Sequence, residues 1–178
     1  DSCVVIVRFY MLRTSIKMTS KPSGTQNRPN DQSRSTTSWT IPEPADVISY
    51  SYLWAREAAE AQEEGLKDRP VVVVLASVIE GEFTRLIVAP MTHSKPGTGE
   101  GVPVPQAVKR HLSLDDEPSW IVTTEVNRFI WPGPDIRSAK GSDTPLYGAI
   151  PSKLFDQVKQ QISANHQVQQ TSVVKRTE

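Results

Sequence analysis

The sequence predicts a mainly β, α+β domain: a small, strongly curved antiparallel sheet with a C-terminal amphipathic helix and a helical insertion after the first strand. Residues 71–76 form an apolar, largely β-branched run that begins after Pro70, which is typical of a buried strand. Residues 83–89 form a similar run across a short Glu-Gly-Glu turn, which predicts a hairpin partner. Leu154, Phe155, Val158 and Ile162 share one helical stripe, so residues 152–162 should cover an edge of the sheet.

The elements before this hairpin follow from side-chain alternation and helix propensity. Residues 45–52 place Ile48, Tyr50 and Tyr52 on one face, as a first strand should. Residues 55–66 read AREAAEAQEEGL, a run of strong helix formers that predicts a helix or helical loop with a solvated face.

The elements after the hairpin are bounded by proline and glycine. Pro105 at a first turn predicts a short helix over residues 106–112, and residues 115–118 read as a turn. Residues 120–131 alternate as one long strand, which the sequence Pro-Gly-Pro-Asp ends at residues 132–135.

The length of 178 residues suits one domain with polar extensions. Residues 1–40 predict a disordered N-terminal extension, because an apolar run too short to span a bilayer gives way to Ser, Thr, Asn, Gln and Pro. Residues 41–165 are the predicted domain, and residues 166–178 read as a disordered C-terminal tail.

Cysteine and histidine usage argues against several classes of site. Cys3 is the single cysteine, so an intramolecular disulfide is excluded and a reducing cytoplasm is the expected location, with no membrane partner. His93, His111 and His166 lack metal-ligand spacing, so we predict no bound metal and no other cofactor.

The charge is unevenly distributed along the chain. The whole sequence has 20 Lys and Arg and 20 Asp and Glu, whereas residues 41–165 contain 12 of the former and 17 of the latter, a net charge of −5. A domain that is acidic on average does not hold polyanions by its overall field. RNA binding would therefore require a groove with locally reversed charge.

Polar residues follow the two strands of the predicted hairpin at the same end of the sheet. Arg69 precedes the first apolar run, and Thr92, His93 and Ser94 follow the second. Because neighbouring antiparallel strands bring these ends together, Arg69 and Thr92 should lie close to each other. A guanidinium beside a hydroxyl is a combination suited to a phosphate, since both donate hydrogen bonds.

The chain resembles the PemK/MazF toxins of type II toxin–antitoxin pairs. The resemblance covers about residues 44–162 and rests on four motifs in the family's order, D-V-I at residues 46–48, D-R-P-V-V-V-V at 68–74, V-A-P-M-T at 88–92 and I-V-T-T-E-V-N-R at 121–128. It implies an SH3-like barrel, usually a homodimer, that cleaves single-stranded RNA without metal. It also implies a cognate antitoxin as a partner, and operator DNA bound through that antitoxin.

The resemblance carries roles onto particular residues. Arg69 matches the catalytic arginine, Thr92 the residue beside it at the phosphate, and Glu125 an acidic residue that functions in some members. For substrate binding the predicted residues are Tyr52, Trp54, His93, Ser94 and Arg128, with Trp131 as a further aromatic that would stack on a base.

Two departures from the family pattern concern specificity and the proton donor. The loop before Arg69 is usually short and glycine-rich, whereas residues 55–67 here form a long Ala/Glu segment. Some relatives have an arginine two positions before the acidic residue, where this chain has Thr123, so either a proton donor is missing or His93 substitutes for it.

Each candidate also has a structural interpretation. Arg69 would be an ion-pair partner of Asp68 or Glu125, Thr92 a turn residue, and His93 a solvated loop residue, with Trp120 and Trp131 in the core. At the level of function, the alternative to an endoribonuclease is a noncatalytic barrel of the same ancestry that acts as a binding or regulatory module.

Overall fold

The structure is a computed structural model that describes residues 39–60, 65, 67–78 and 83–176. All but the last two residues of the predicted N-terminal extension lie outside these ranges. Within them, none of the helices combines the length and the apolar character needed to cross a membrane.

The described residues form a mainly antiparallel sheet with three helices. The strands are β1 (Asp46–Ser51), β2 (Asp68–Val78), β3 (Thr84–Thr92), β4 (Gly101–Pro103), β5 (Trp120–Val122), β6 (Glu125–Trp131), β7 (Leu146–Ala149) and β8 (Ser172–Lys175). The helices are α1 (Ala55–Ala59), α2 (Gln106–His111) and α3 (Ser152–Gln167).

The three predicted N-terminal strands form the centre of the sheet. β1 pairs with β2 and β2 with β3, both antiparallel, and the β-branched run of β2 is buried at Val71, Val72 and Val73. Ile48, Tyr50 and Tyr52 belong to the same hydrophobic cluster as Val71 and Val73, which confirms the predicted face of the first strand.

The predicted strand over residues 120–131 is wrong as a single element. It divides at Thr123 and Thr124 into β5, which pairs with the end of β3 and with β4, and β6, which pairs with the beginning of β3. The strand β3 thus pairs with two partners in succession along its length. A bend between β5 and β6 is required because the two partners lie along different parts of β3.

The sheet is open in the described part of the chain. Its order is β4-β5-β3-β2-β1-β7, with β6 paired to β3 off this path and β8 paired to β6, so the pairings do not return to the first strand. The short strands β4 and β7, which the sequence did not predict, form the two ends of this path.

The helices differ from one another in how well they were predicted. α2 follows Pro105 as expected, and α3 buries Leu154, Phe155, Val158 and Ile162, which confirms the amphipathic stripe. The helix predicted over residues 55–66 is described only for α1, since residues 61–64 and 66 lie outside the described ranges.

The predicted disordered tail, residues 166–178, contains ordered structure instead. α3 continues to Gln167, and β8 pairs in parallel with β6. The Arg176 guanidinium is buried and donates from Nε and Nη2 to Asp135 Oδ2 at 3.0 and 2.7 Å. The polar composition of this segment misled the prediction, because its stability comes from a sheet edge and an ion pair supplied by distant residues.

Candidate functional site

A cleft of about 760 Å³ lies where β2 begins and β3 ends. Its volume falls within the range of about 300–1,000 Å³ that is usual for ligand sites. Six of the eight predicted site residues line it: Trp54, Arg69, Thr92, His93, Ser94 and Glu125.

The pairing of β2 with β3 places Arg69 and Thr92 together. Val71 lies opposite Pro90, so continuing this antiparallel register by two residues sets Arg69 across from Thr92. Both side chains line the same cleft. The two strand ends thus meet as the sequence predicted, on one side of the sheet.

The Arg69 guanidinium lies over the Trp54 ring, 4.9 Å from its centroid. No described carboxylate forms a salt bridge with Arg69, and its buried Nε has no hydrogen-bond partner among the described residues. Burial lowers the pKa of Arg69 from its usual value, although Glu57, Tyr52 and Glu125 partly oppose this effect. The ion pair with Asp68 or Glu125 that the structural interpretation required is therefore not formed.

Thr92 has features of both of its predicted roles. Its Oγ1 accepts a hydrogen bond from the backbone N–H of Ser94 at 3.1 Å, which is the expected turn geometry. A hydroxyl that accepts one hydrogen bond still has its own O–H to donate. Thr92 can therefore stabilise the turn and donate to an anion in the cleft.

Glu125 is held at the beginning of α1. Its Oε1 accepts a hydrogen bond from the backbone N–H of Ala55 at 2.7 Å, which leaves Oε2 for other contacts. Burial raises the pKa of Glu125 despite this hydrogen bond and the nearby Arg56. A half-buried carboxyl of this kind binds a proton more readily than an exposed glutamate.

A second carboxylate, that of Glu57, holds the backbone at the beginning of α1 from inside the protein. Glu57 is 6% exposed, and its Oε2 accepts a hydrogen bond from the backbone N–H of Trp54 at 3.1 Å. Trp54, Glu57, Arg69 and Glu125, together with the Ala55 backbone, are called the Arg69 network below.

A different set of contacts surrounds Lys109, whose side chain is 1% exposed. Its Nζ donates to Asp115 Oδ1 and to Ser119 Oγ, both at 2.7 Å, and also to the Glu117 carbonyl oxygen. The three donors of the ammonium are thus satisfied within the protein. The hydrogen bond from Lys109 lowers the pKa of Asp115.

His93 completes this second set, which is called the Lys109 network (His93, Lys109, Asp115 and Ser119). Its Nε2 lies 3.3 Å from Asp115 Oδ2, and its Nδ1 lies 3.2 Å from Ser119 Oγ. The ring is about half exposed at the cleft, with its side chain at 51%. His93 is therefore fixed to the neighbouring loop and is not the freely solvated residue of the structural interpretation.

The charge of the cleft is opposite in sign to that of the domain. Five cationic residues line it, namely Arg56, Lys67, Arg69, Lys95 and Lys109, against three carboxylates, Asp68, Asp115 and Glu125. The acidic domain thus has a local region with an excess of positive charge, which is the condition that RNA binding was predicted to require.

Two predicted substrate-binding residues do not line the cleft. Tyr52 is fully buried in the core, with its ring 5.1 Å from that of Trp54, so its predicted stacking on a base is not supported. Arg128 lies three residues after Glu125 on β6, and an odd spacing on a strand directs side chains to opposite faces. Trp131 is 6% exposed within the core cluster, in agreement with its structural interpretation.

Several lining residues were missed by the sequence reasoning. Lys109, Asp115 and Ser119 belong to a helix end and a turn that were interpreted only as connections. The one available signal was the spacing of a lysine before an Asp-Asp-Glu turn. No group of three or more His, Cys, Asp or Glu side chains suited to a metal ion occurs in the part of the chain that the structure describes.

Thr123 occupies the position where some members of the PemK/MazF family, which the sequence resembles, have an arginine. It is fully buried, and its Oγ1 accepts a hydrogen bond from Asn165 Nδ2 at 2.9 Å. The Thr123 side chain therefore points into the protein and supplies nothing to the cleft.

Neither a protein-family model nor a curated protein matches the chain.

Proposed function

We propose that the chain is a metal-independent endoribonuclease that cleaves single-stranded RNA through attack of the 2′-hydroxyl on the adjacent phosphodiester. The observation that carries this proposal is the Arg69 guanidinium, which lines the cleft beside Thr92 without an ion-pair partner among the described residues. A partly buried cation of this kind gains most from an anionic ligand, because no carboxylate of the described residues has to be displaced.

The proposed chemistry needs positive charge at the phosphate, a base for the 2′-hydroxyl and an acid for the leaving 5′-oxygen. Arg69 and the Thr92 hydroxyl donate to the phosphate oxygens, whose negative charge increases in the transition state. Glu125, whose pKa is raised by burial, accepts the proton of the 2′-hydroxyl. His93, half exposed at the cleft, donates the proton to the leaving oxygen.

The biological role that goes with this chemistry is that of a type II toxin. We extend the proposal to a cytoplasmic homodimer of SH3-like barrels, inhibited by a cognate antitoxin that also links the pair to operator DNA. The support is the resemblance at residues 46–48, 68–74, 88–92 and 121–128, together with the joint presence of Arg69, Thr92 and Glu125 at one cleft.

A noncatalytic module that binds RNA or protein is the second candidate. The observation that favours it is Thr123, because a buried threonine replaces a residue that would donate a proton in the cleft. Such a module would retain the excess of cationic residues in the cleft and bind RNA without cleaving it.

The test is cleavage of a mixed-sequence single-stranded RNA by the full 178-residue chain in the presence of a chelator. We expect products with 2′,3′-cyclic phosphate ends, and we expect Arg69→Ala to lower the cleavage rate by about 100-fold or more, as loss of a transition-state donor does. Arg110→Ala is the matched control, since Arg110 is exposed on α2 and does not line the cleft.

The outcomes separate the two candidates. RNA that is bound but never cleaved would indicate the noncatalytic module. Cleavage that survives Arg69→Ala as well as it survives Arg110→Ala would contradict the proposed role of Arg69.

A further inference from the structure

Trp54 was predicted as a platform for a base, but its contacts in the structure are with the protein. The Arg69 guanidinium covers its ring at 4.9 Å, and Tyr52 meets it in a T-shaped contact at 5.1 Å. An aromatic ring beneath a guanidinium attracts the cation and restricts its orientation.

The backbone that carries Trp54 is fixed from both sides. The N–H of Trp54 donates to Glu57 Oε2 at 3.1 Å, and the next N–H, of Ala55, donates to Glu125 Oε1 at 2.7 Å. Glu57 is 6% exposed, so its carboxylate is held within the protein. The indole therefore has a defined position when the guanidinium packs on it.

Arg69 itself has few other constraints in the described part of the chain. Its Nε is buried without a hydrogen-bond partner there, and no salt bridge to a described carboxylate fixes the guanidinium. The stack on Trp54 is thus the contact that determines where its donors point.

We propose that Trp54 is a positioning residue that orients Arg69 toward a phosphate, and that Glu57 anchors Trp54 in turn. This inference rests on the proposed phosphate-binding role of Arg69 and adds the residues that prepare it. Neither Trp54 nor Glu57 needs to touch the ligand for this role. A phosphate that enters the cleft meets a guanidinium whose orientation is already set, which reduces the entropy lost on binding.

The probe for this inference is an all-2′-deoxy single-stranded oligonucleotide, which cannot react by 2′-hydroxyl attack. Its dissociation constant is measured at several salt concentrations for the full chain. We expect Trp54→Leu to weaken binding by about 3- to 10-fold, as loss of a cation–π contact would, and Trp54→Phe to restore most of the affinity.

The salt dependence distinguishes loss of orientation from loss of charge. Arg69→Ala should reduce the slope of log Kd against log salt by about 0.7, since one phosphate contact disappears. Trp54→Leu keeps the guanidinium charge, so its slope should stay equal to that of the wild type. Trp39→Leu is the matched control, because Trp39 is a partly buried tryptophan that packs against the core away from the cleft.

Two variants of Glu57 test the anchor without altering the cleft lining. Removing a carboxylate near an anion site should strengthen binding by electrostatics alone. Glu57→Gln keeps an oxygen that accepts from Trp54, and it should bind the probe as tightly as the wild type or more tightly. Glu57→Ala loses the anchor and should bind more weakly, despite the same change in charge.

The results separate this inference from the proposed function on which it rests. If Arg69→Ala weakens binding while Trp54→Leu does not, Trp54 has no positioning role and the phosphate-binding role of Arg69 stands. If Trp54→Phe binds as weakly as Trp54→Leu, an aromatic ring beneath the guanidinium does not restore binding and the positioning role is wrong. If Arg69→Ala itself has no effect, the proposed phosphate-binding role fails. Thermal unfolding of each variant shows whether it folds. If Trp54→Leu folds poorly, the milder changes Trp54→Phe and Glu57→Gln still test the inference.

Discussion

The Arg69 network and the Lys109 network both place a cation at the same cleft, but they treat it differently. Lys109 is 1% exposed and donates to three protein oxygens, from Asp115, Glu117 and Ser119. Arg69 is partly buried and lies on an aromatic ring, with its Nε unpartnered among the described residues.

This difference in hydrogen-bond partners shows which of the two cations is available to bind a ligand. A buried ammonium whose donors are all occupied stabilises the fold and has nothing left to offer. A guanidinium that packs on a ring without a salt bridge to a described carboxylate keeps its donors for an incoming anion. The contacts of Lys109 with Asp115 and Ser119 should therefore determine stability, and the Arg69 guanidinium should determine binding.

The largest effect expected from this comparison is on stability. Lys109→Met keeps the side-chain length but removes three hydrogen bonds from a buried ammonium, which leaves the buried Ser119 hydroxyl without this donor. We expect the free energy of unfolding to fall by about 3 kcal/mol, measured by urea denaturation.

Arg69→Met is the matched substitution for this measurement. It removes a partly buried charge that has no salt bridge to a described carboxylate, so stability should stay within about 0.5 kcal/mol of the wild type or increase. Equal losses for Lys109→Met and Arg69→Met would contradict the division between the two networks.

The next effect concerns the pH dependence of the Arg69 network. Burial raises the pKa of Glu125, so the native state retains a proton over a pH range in which the unfolded chain has lost it. The free energy of unfolding therefore falls as pH rises through that range. Glu125→Gln, which can still accept from Ala55, should be more stable than the wild type near neutral pH.

The advantage of Glu125→Gln should disappear below about pH 4, where the wild-type carboxyl is also neutral. Urea denaturation at a series of pH values measures this gap. A gap that is constant with pH would show that ionisation of Glu125 is not its cause.

The smallest effect is the opposite pH dependence of the Lys109 network. The hydrogen bond from Lys109 lowers the pKa of Asp115, so its contribution to stability is present above the unfolded pKa of about 3.9 and is lost as pH falls through the folded pKa. Asp115→Asn should therefore be less stable than the wild type near neutral pH and equal to it in strong acid.

The loss for Asp115→Asn should stay below about 1 kcal/mol, because the Asp115 side chain is 55% exposed and solvent screens the pair. The same pH series of urea denaturation measures it. A difference in stability between Asp115→Asn and the wild type that widens in acid would contradict the lowered pKa of Asp115.

The central strands and the paired strand ends could be predicted from the sequence because their signals are local. The β-branched run of β2, the alternation of Tyr50 and Tyr52 and the stripe of α3 each depend on residues next to one another in the chain. Arg69 and Thr92 could be brought together because a hairpin fixes the register of its two strands.

The remaining features depend on contacts between distant residues. The division between β5 and β6 follows from their different positions along β3, which periodicity within residues 120–131 does not report. The Lys109 network likewise depends on packing, since a lysine and an Asp-rich turn look solvated when read alone.

The ion pair between Arg176 and Asp135 has a consequence for the order of synthesis. A ribosome completes β6 and the Asp135 carboxylate well before it reaches β8 and Arg176, about forty residues later in the chain. Until then Glu125, the first residue of β6, lacks the neighbouring strand that pairs with it at Ser172. The sheet of the described residues is therefore complete only after β8 has been made, so the cleft acquires the support of β8 well after β6 has been synthesised.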